Sequence, residues 1–442
     1  MNTKARFGMG MLLLTLSLFA IALFDGHPVH AQGIVQVPTV IDVTDPASGL
    51  ITVEITYPAA LLPDDYLYLS FHMLADHPDA LKSLAALAGE SAQELPVETR
   101  PGVTQRVRLT DHAGSLLVRY TLDPLYFPPQ YSHDEPLNAA ARLTAELGVL
   151  RTSDILPDGA FAVGPGEFVY QTIFRLPDGW QAITPWPAAP DGTVPIPASS
   201  IMQTEYLAVG PFVTEIATFD TTQVVVGTVN DAGLPAALVI EILTHMADLF
   251  ESAPQAEHMA VSIVPEDFLY GGSAGTLTIS SNADPHFVAH EMIHWWNTLD
   301  LTAGDATAWF REGFTEYYSL RMMRDLGIWN DEILGMAWDQ YGQALAQLDE
   351  DPAPSLVEAS ERQQENENYV LLVYVKGALF ARLLDTTLED HDRSLDEAMR
   401  VILSGERRAL SNADLHQIFH DVYDGLVDDL FERYVLDGAG LP

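Results

Sequence analysis

Asp284-Pro-His-Phe-Val-Ala-His-Glu-Met-Ile-His-Trp-Trp-Asn297 is the stretch on which the reading of this chain turns. The Asp284 carboxylate can accept the free N–H groups at a helix start, and Pro285 suits the first helical turn, so a helix begins here. His290 and His294 are then four residues apart and project from one face, where two imidazoles can grip a single metal ion. Glu291 stands beside that face, within reach of a water on the metal without being a ligand. Phe287, Val288, Met292, Ile293 and Trp295 make the surroundings apolar. Buried imidazoles without partners are costly, so the stretch predicts a buried helix carrying part of a metal site.

A catalytic zinc ion takes three protein ligands and keeps one position open for water. Glu312 lies 18 positions after His294, within Trp309-Phe-Arg-Glu-Gly-Phe-Thr-Glu-Tyr-Tyr318, which reads as a second helix. Two antiparallel helices joined over Asn297–Ala306, a stretch eased by Gly304, bring Glu312 to the histidine pair. The chain has no cysteine, which excludes disulfides and thiolate ligands and leaves His, Asp and Glu to hold a metal. Two imidazoles and one carboxylate favour one zinc ion per chain. Glu316, one turn past Glu312 on the same face, reads either as a partner that orients a ligand imidazole or as a solvated helix carboxylate. Asp300 and Asp305 are further carboxylates in the connecting stretch.

The 442 residues suffice for two or three domains, and a 48% hydrophobic content marks them as globular. A net charge of −41, spread along the chain, repels phosphates and excludes nucleic acid as a partner. Residues 1–31 read as a signal peptide: Lys4 and Arg6, the apolar run Met9–Phe24, then Val29-His-Ala31 before a cut. The run is short for a bilayer span, which needs roughly 20 apolar residues, so cleavage is expected in preference to an uncleaved anchor. No later segment approaches a membrane span, and a secreted or extracytoplasmic protein is expected.

Residues 32–203 read as a β-rich domain, with strands at Leu50–Tyr57, Tyr66–Phe71, Val103–Leu109 and Leu116–Leu122. Helices are expected near Pro78–Leu95 and Glu135–Leu150. The Pro- and Gly-dense stretch Trp186–Pro197 is the expected linker. Residues 204–442 form the second domain. Its strands are expected at Glu205–Val209, Val224–Val229 and Met259–Val264, with a helix at Pro235–Ser252 and an almost wholly helical chain after Asp284. The fold class is α+β.

The motifs together carry a resemblance. His290-Glu-Met-Ile-His294 followed by the Trp309–Tyr318 stretch resembles the gluzincin metallopeptidases. The match is strongest with the glycyl aminopeptidase family, whose second motif is of the EGFT-x-YY type, and more distant with the aminopeptidase N family. Tyr374-Val-Lys-Gly-Ala378 is similar to the Y-x-K-G-A segment of both. The resemblance implies a thermolysin-like zinc domain, built of a small strand-bearing lobe and a mostly helical lobe. It implies a zinc set of His290, His294 and Glu312, Glu291 as general base, and Tyr374 as donor to the substrate carbonyl oxygen. Tyr369, little more than one turn earlier, is a second tyrosine of the segment, also readable as core packing. Ser394–Met399, Leu430–Val435 and Phe174–Trp180 extend the likeness over most of the chain after residue 32.

Two departures from these families stand out. The gap between His294 and Glu312 is one residue shorter than in the aminopeptidase N family and shorter still against the glycyl aminopeptidases. Both families carry a Gly-Gly-x-Glu type strand before HExxH, whose glutamate captures the substrate's amino terminus. Tyr270–Leu277 keeps Gly271 and Gly272 but has no carboxylate after them, with Glu266 and Asp267 a few residues earlier. The implied function is therefore a peptidase acting on peptides or proteins, with aminopeptidase and endopeptidase both open. A non-catalytic secreted binding protein on the same fold is the alternative.

Overall fold

A computed structural model describes residues 34–71, 78–89, 91–99, 104–109, 112, 114–124, 142–157, 168–202, 205–229, 233–254, 258–265, 271–272, 275–297, 305–348, 354–404 and 409–441. Residues 1–31, the stretch read as a signal peptide, lie outside them. By contacts the chain divides into two compact units. One comprises Met1–Ile216, Val224–Ala232 and His258–Ser281, the other Ala217–Gln223, Gly233–Glu257 and Asn282–Pro442. The strands of the 204–281 stretch thus group by contact with the β-rich part.

The first unit is built on a seven-stranded sheet. Its spatial order is Val194–Pro197, Phe168–Arg175, Val35–Asp42, Ile51–Tyr57, Leu116–Leu122, Leu81–Ala88 and Gln93–Leu95. Alternation along Ile51–Tyr57 turns Ile51, Val53, Ile55 and Tyr57 fully inward, as a strand with one face on a core requires. A three-stranded sheet, Tyr66–Ser70, Thr104–Arg108 and Val97–Thr99, contributes Leu67, Leu69 and Val107 to the same core. In the four-stranded sheet, Tyr206–Gly210 is buried on both faces: Leu207 and Val209 join this core, while Tyr206 and Ala208 join a second one with Ala260 and Val264.

Three expectations need correction. Leu81–Ala88 is a strand, not part of a helix, although its leucines recur every third residue. Pairing along Leu116–Leu122 and a hairpin through Gly89 to Gln93–Leu95 override that weak local preference. The helix expected to end at Leu150 is also absent where described: Arg142–Leu143 and Gly148–Arg151 form a hairpin, and residues 135–141 lie outside the described set. Thr144 closes this turn, its hydroxyl accepting from the backbone N–H groups of Glu146 and Leu147. Finally, Trp186–Pro197 is no free linker, because Val194–Pro197 is the edge strand of the seven-stranded sheet, where prolines are tolerated.

The second unit is helical: α1 (Ala236–Phe250), α2 (Pro285–Ile293), α3 (Ala308–Asp325), α4 (Asp331–Gln347) and α5 (Gly377–Glu389) dominate. Asp284 caps α2 by accepting from the His286 N–H at 2.8 Å. α3 is buried along nearly its whole length, and Trp309 packs edge-on against Phe310, Phe314, Phe380 and Phe431. A five-residue π-helical turn, Leu372–Lys376, precedes α5. α3 and α5 meet at two glycines. A Cβ on Gly313 would stand 2.5 Å from the Gly377 Cα, and one on Gly377 would stand 2.8 Å from the Trp309 carbonyl oxygen. Backbone cannot yield as a flexible side chain does. Gly313→Ala is therefore expected to cost about 1–3 kcal/mol, read as a lower denaturant midpoint at unchanged slope. A midpoint equal to wild type would show that the crossing tolerates a methyl group.

Candidate metal centre

Two histidines reach one carboxylate because α2 and α3 pack side by side. Nε2 of His294 lies 3.3 Å, and Nε2 of His290 3.5 Å, from Oε2 of Glu312. The three ligand atoms lie within 4.8 Å of one another, and among the described residues no other group of three His, Asp or Glu does so. His290 Nε2 and Glu312 Oε2 are buried without a hydrogen-bond partner. Leaving such atoms unsatisfied costs about 1–3 kcal/mol each, and a cation among them removes that cost. Two imidazole nitrogens and one carboxylate oxygen, with no fourth protein ligand among the described residues, are the donor set of a catalytic zinc site.

The surroundings orient each ligand. His290 Nδ1 donates to Glu316 Oε2 at 2.7 Å, which turns the lone pair of Nε2 toward Glu312. The other Glu316 oxygen accepts from the Tyr341 hydroxyl on α4 and faces His286 Nε2 at 3.3 Å. Burial works to raise the Glu316 pKa, but His286 and His290 outweigh it and hold the carboxyl well below the usual range. The same contest at Glu312 is won by His294, Arg311 and His290. Burial disfavours a charged His290, yet Glu312 and Glu316 push its pKa up to about 10.

Asn297 ties the two helices together. Its carbonyl oxygen lies 3.3 Å from His294 Nδ1, and its amide donates to the carbonyls of Phe310 and Arg311 at 3.3 and 3.0 Å. The Arg311 Nε donates to Glu312 Oε1 at 2.7 Å, leaving Oε2 to the imidazoles.

Tyr374 sits in the π-helical turn, and its ring stacks on His290 with centroids 5.7 Å apart and planes 18° apart. The wider turn re-aims the residues it carries, a common device at functional sites. Burial, and then the Glu312 carboxylate, hold the phenol well above its usual pKa, so it remains a proton donor. Glu291, half-buried on α2, lies close enough for its charge to act on both His290 and Tyr374.

Tyr369 is buried in a core with Ala308, Ala359, Leu372 and Val373, the Arg362 guanidinium over its ring. Gly271 and Gly272 pair with Thr278 and Leu277 at an edge of the five-stranded sheet in the first unit. Asp300, Glu266 and Asp267 lie outside the described residues. Lys376, two residues past Tyr374, is buried, donates to the Pro354 carbonyl at 2.8 Å, and is pushed down by burial to about 8. Sequence reasoning missed His286, Asn297, Arg311 and Tyr341. His286 had a signal in its helical spacing, four residues before His290, and Arg311 only in adjoining Glu312; Tyr341, on another helix, had none.

The fold and this cluster are similar to those of the gluzincin zinc metallopeptidases. Residues 252–434 match the model of the peptidase family M1 domain. No curated protein matches the chain. Among solved structures, an aminopeptidase N family protein from Idiomarina loihiensis is similar over 92% of this chain and 77% of its own, at 16% identity and a TM-score of 0.68. An M1 zinc metallopeptidase from Deinococcus radiodurans is similar over 92% of this chain and 95% of its own, at 17% identity and a TM-score of 0.54. A mutant of it bound to a Tyr-Ser-Ala substrate gives the same values. At these identities the likeness is one of fold.

Proposed function

We propose that this protein hydrolyses peptide bonds, with His290, His294 and Glu312 holding zinc, Glu291 moving the proton and Tyr374 binding the carbonyl oxygen. One observation carries the reading: three ligand atoms converge where Glu291 and Tyr374 also stand. When bound, zinc supplies a Lewis acid for the carbonyl and lowers the pKa of a water toward about 7. Glu291 takes a proton from the attacking water, the oxygen bonds to the carbonyl carbon, the C–N bond breaks, and Glu291 returns the proton to the leaving nitrogen. Tyr374 donates to the oxygen on which negative charge develops. Glu316 holds His290 in the required tautomer. A binding protein without turnover has no use for Glu291 or Tyr374.

A peptide substrate is carried over from the Deinococcus relative, whose mutant holds one. The test uses zinc-loaded protein and paired peptides with free and acetylated amino termini. Cleavage of both at equal rates assigns an endopeptidase, and cleavage of the free form alone an aminopeptidase. Cleavage of neither, or zinc well below one per chain after chelator-free purification, rejects the reading. Tyr374→Phe is expected to lower kcat by about a hundredfold with KM little changed, because its bond strengthens only as charge develops. A KM effect alone would make Tyr374 a substrate-binding residue.

Export is part of this reading, supported by the basic and apolar pattern of residues 1–31. Among the described residues no helix is long and apolar enough to cross a membrane. Amino-terminal sequencing of material recovered outside expressing cells tests it: a start near residue 32 supports the cut, and retention with Met1 intact overturns it.

A further inference from the structure

Arg311 stands one residue before Glu312, in the first turn of α3, with 14% of its side chain exposed. An arginine offers five N–H donors in a planar fork, and those not spent on an acceptor are open to a planar anion. Other arginines of this protein spend that fork. Arg151 places Nε and one Nη on the two oxygens of Asp154, and Arg321 places both Nη groups on Asp396. Arg311 differs. Its Nε donates to Glu312 Oε1 at 2.7 Å, and among the described residues neither Nη has an acceptor. The guanidinium adjoins the metal centre, because its Nε is bound to the carboxylate whose other oxygen faces His290 and His294.

We infer that the free Nη edge of Arg311 is a carboxylate subsite, so that the preferred substrates carry an anionic group close to the scissile bond. Two parallel N–H donors match the two oxygens of a carboxylate, which a neutral amide cannot replace. The group has two possible sources, the carboxy terminus of a short peptide or an acidic side chain next to the cleaved bond. This inference rests on the peptidase reading for turnover but not for binding. A charge-assisted contact of this kind is worth about tenfold or more in affinity.

The test uses zinc-loaded protein and two peptide pairs, one differing by a free or amidated carboxy terminus, the other by Glu or Gln beside the cleaved bond. Binding is measured by calorimetry in Glu291→Gln, with and without Arg311→Met, and cleavage in the Glu291 background. At least one pair is expected to show a preference of about tenfold for the carboxylate, falling to near unity in Arg311→Met whatever the absolute rate. The responding pair identifies the source. Arg311→Lys, which keeps the charge but not the fork, is expected to retain only part of the preference. The inference is overturned by equal binding within both pairs, or by Arg311→Met weakening both members alike, which would leave Arg311 only as a support for Glu312. A carboxylate preference in binding without cleavage would sink the peptidase reading and leave the subsite standing.

Discussion

Glu291→Gln is expected to lower kcat/KM by about a thousandfold while zinc content stays at one per chain. Neighbouring residues on α2 play two separate roles. His290 and His294 project toward Glu312 and hold the ion, whereas Glu291 is offset from that face and lies near His290 and Tyr374. Glutamine keeps the size and hydrogen-bonding reach of glutamate but cannot accept and return a proton. The loss should therefore appear in kcat, with KM moved much less. Metal analysis and steady-state kinetics on one preparation decide the matter. Wild-type turnover in the variant would require another base, and coincident loss of zinc would show that Glu291 supports the site instead of serving the reaction.

His290→Ala is expected to lower zinc affinity beyond the ten- to hundredfold range set for Glu316→Gln, whose side chain only supports a ligand. Glu316 touches His290 Nδ1 at 2.7 Å and no ligand position, so its loss loosens the imidazole without removing it. Zinc-dependent stabilisation gives an independent reading. At a free zinc concentration of a thousand times Kd, binding stabilises a folded protein by about 4 kcal/mol, and each variant should lose stabilisation in step with its affinity. Competition against a chelating indicator and zinc-dependent thermal melts should agree. Equal zinc affinity for wild type and His290→Ala would place the metal elsewhere.

Much of the metal site was legible in sequence because helices convert spacing into direction. Four residues between His290 and His294 put both rings on one face, and the same rule put Glu312 and Glu316 on one face of α3. Each of those four was readable before any contact was known, as was the α2 cap at Asp284 and Pro285. The β-rich unit was legible where alternation was clean, as in Ile51–Tyr57. It was misread at Leu81–Ala88, where leucines at a helical interval are overruled by pairing with a strand more than 25 positions later.

By itself the sequence determined the donor set, since a chain without cysteine but with His290, Glu291, His294 and Glu312 on helical spacing has few other chemistries open to it. It also determined the absence of a carboxylate after Gly271 and Gly272. Only the tertiary structure decided that Tyr341 and His286 support Glu316, that Tyr374 stacks on His290 while Tyr369 is spent in a core, and that Arg311 donates to Glu312. The physical reason is range. Ligands on one helix are related by backbone geometry, which spacing encodes. Partners on different helices meet only after packing, and here the approach of α3 and α5 at Gly313 and Gly377 sets where Tyr374 and Glu312 stand.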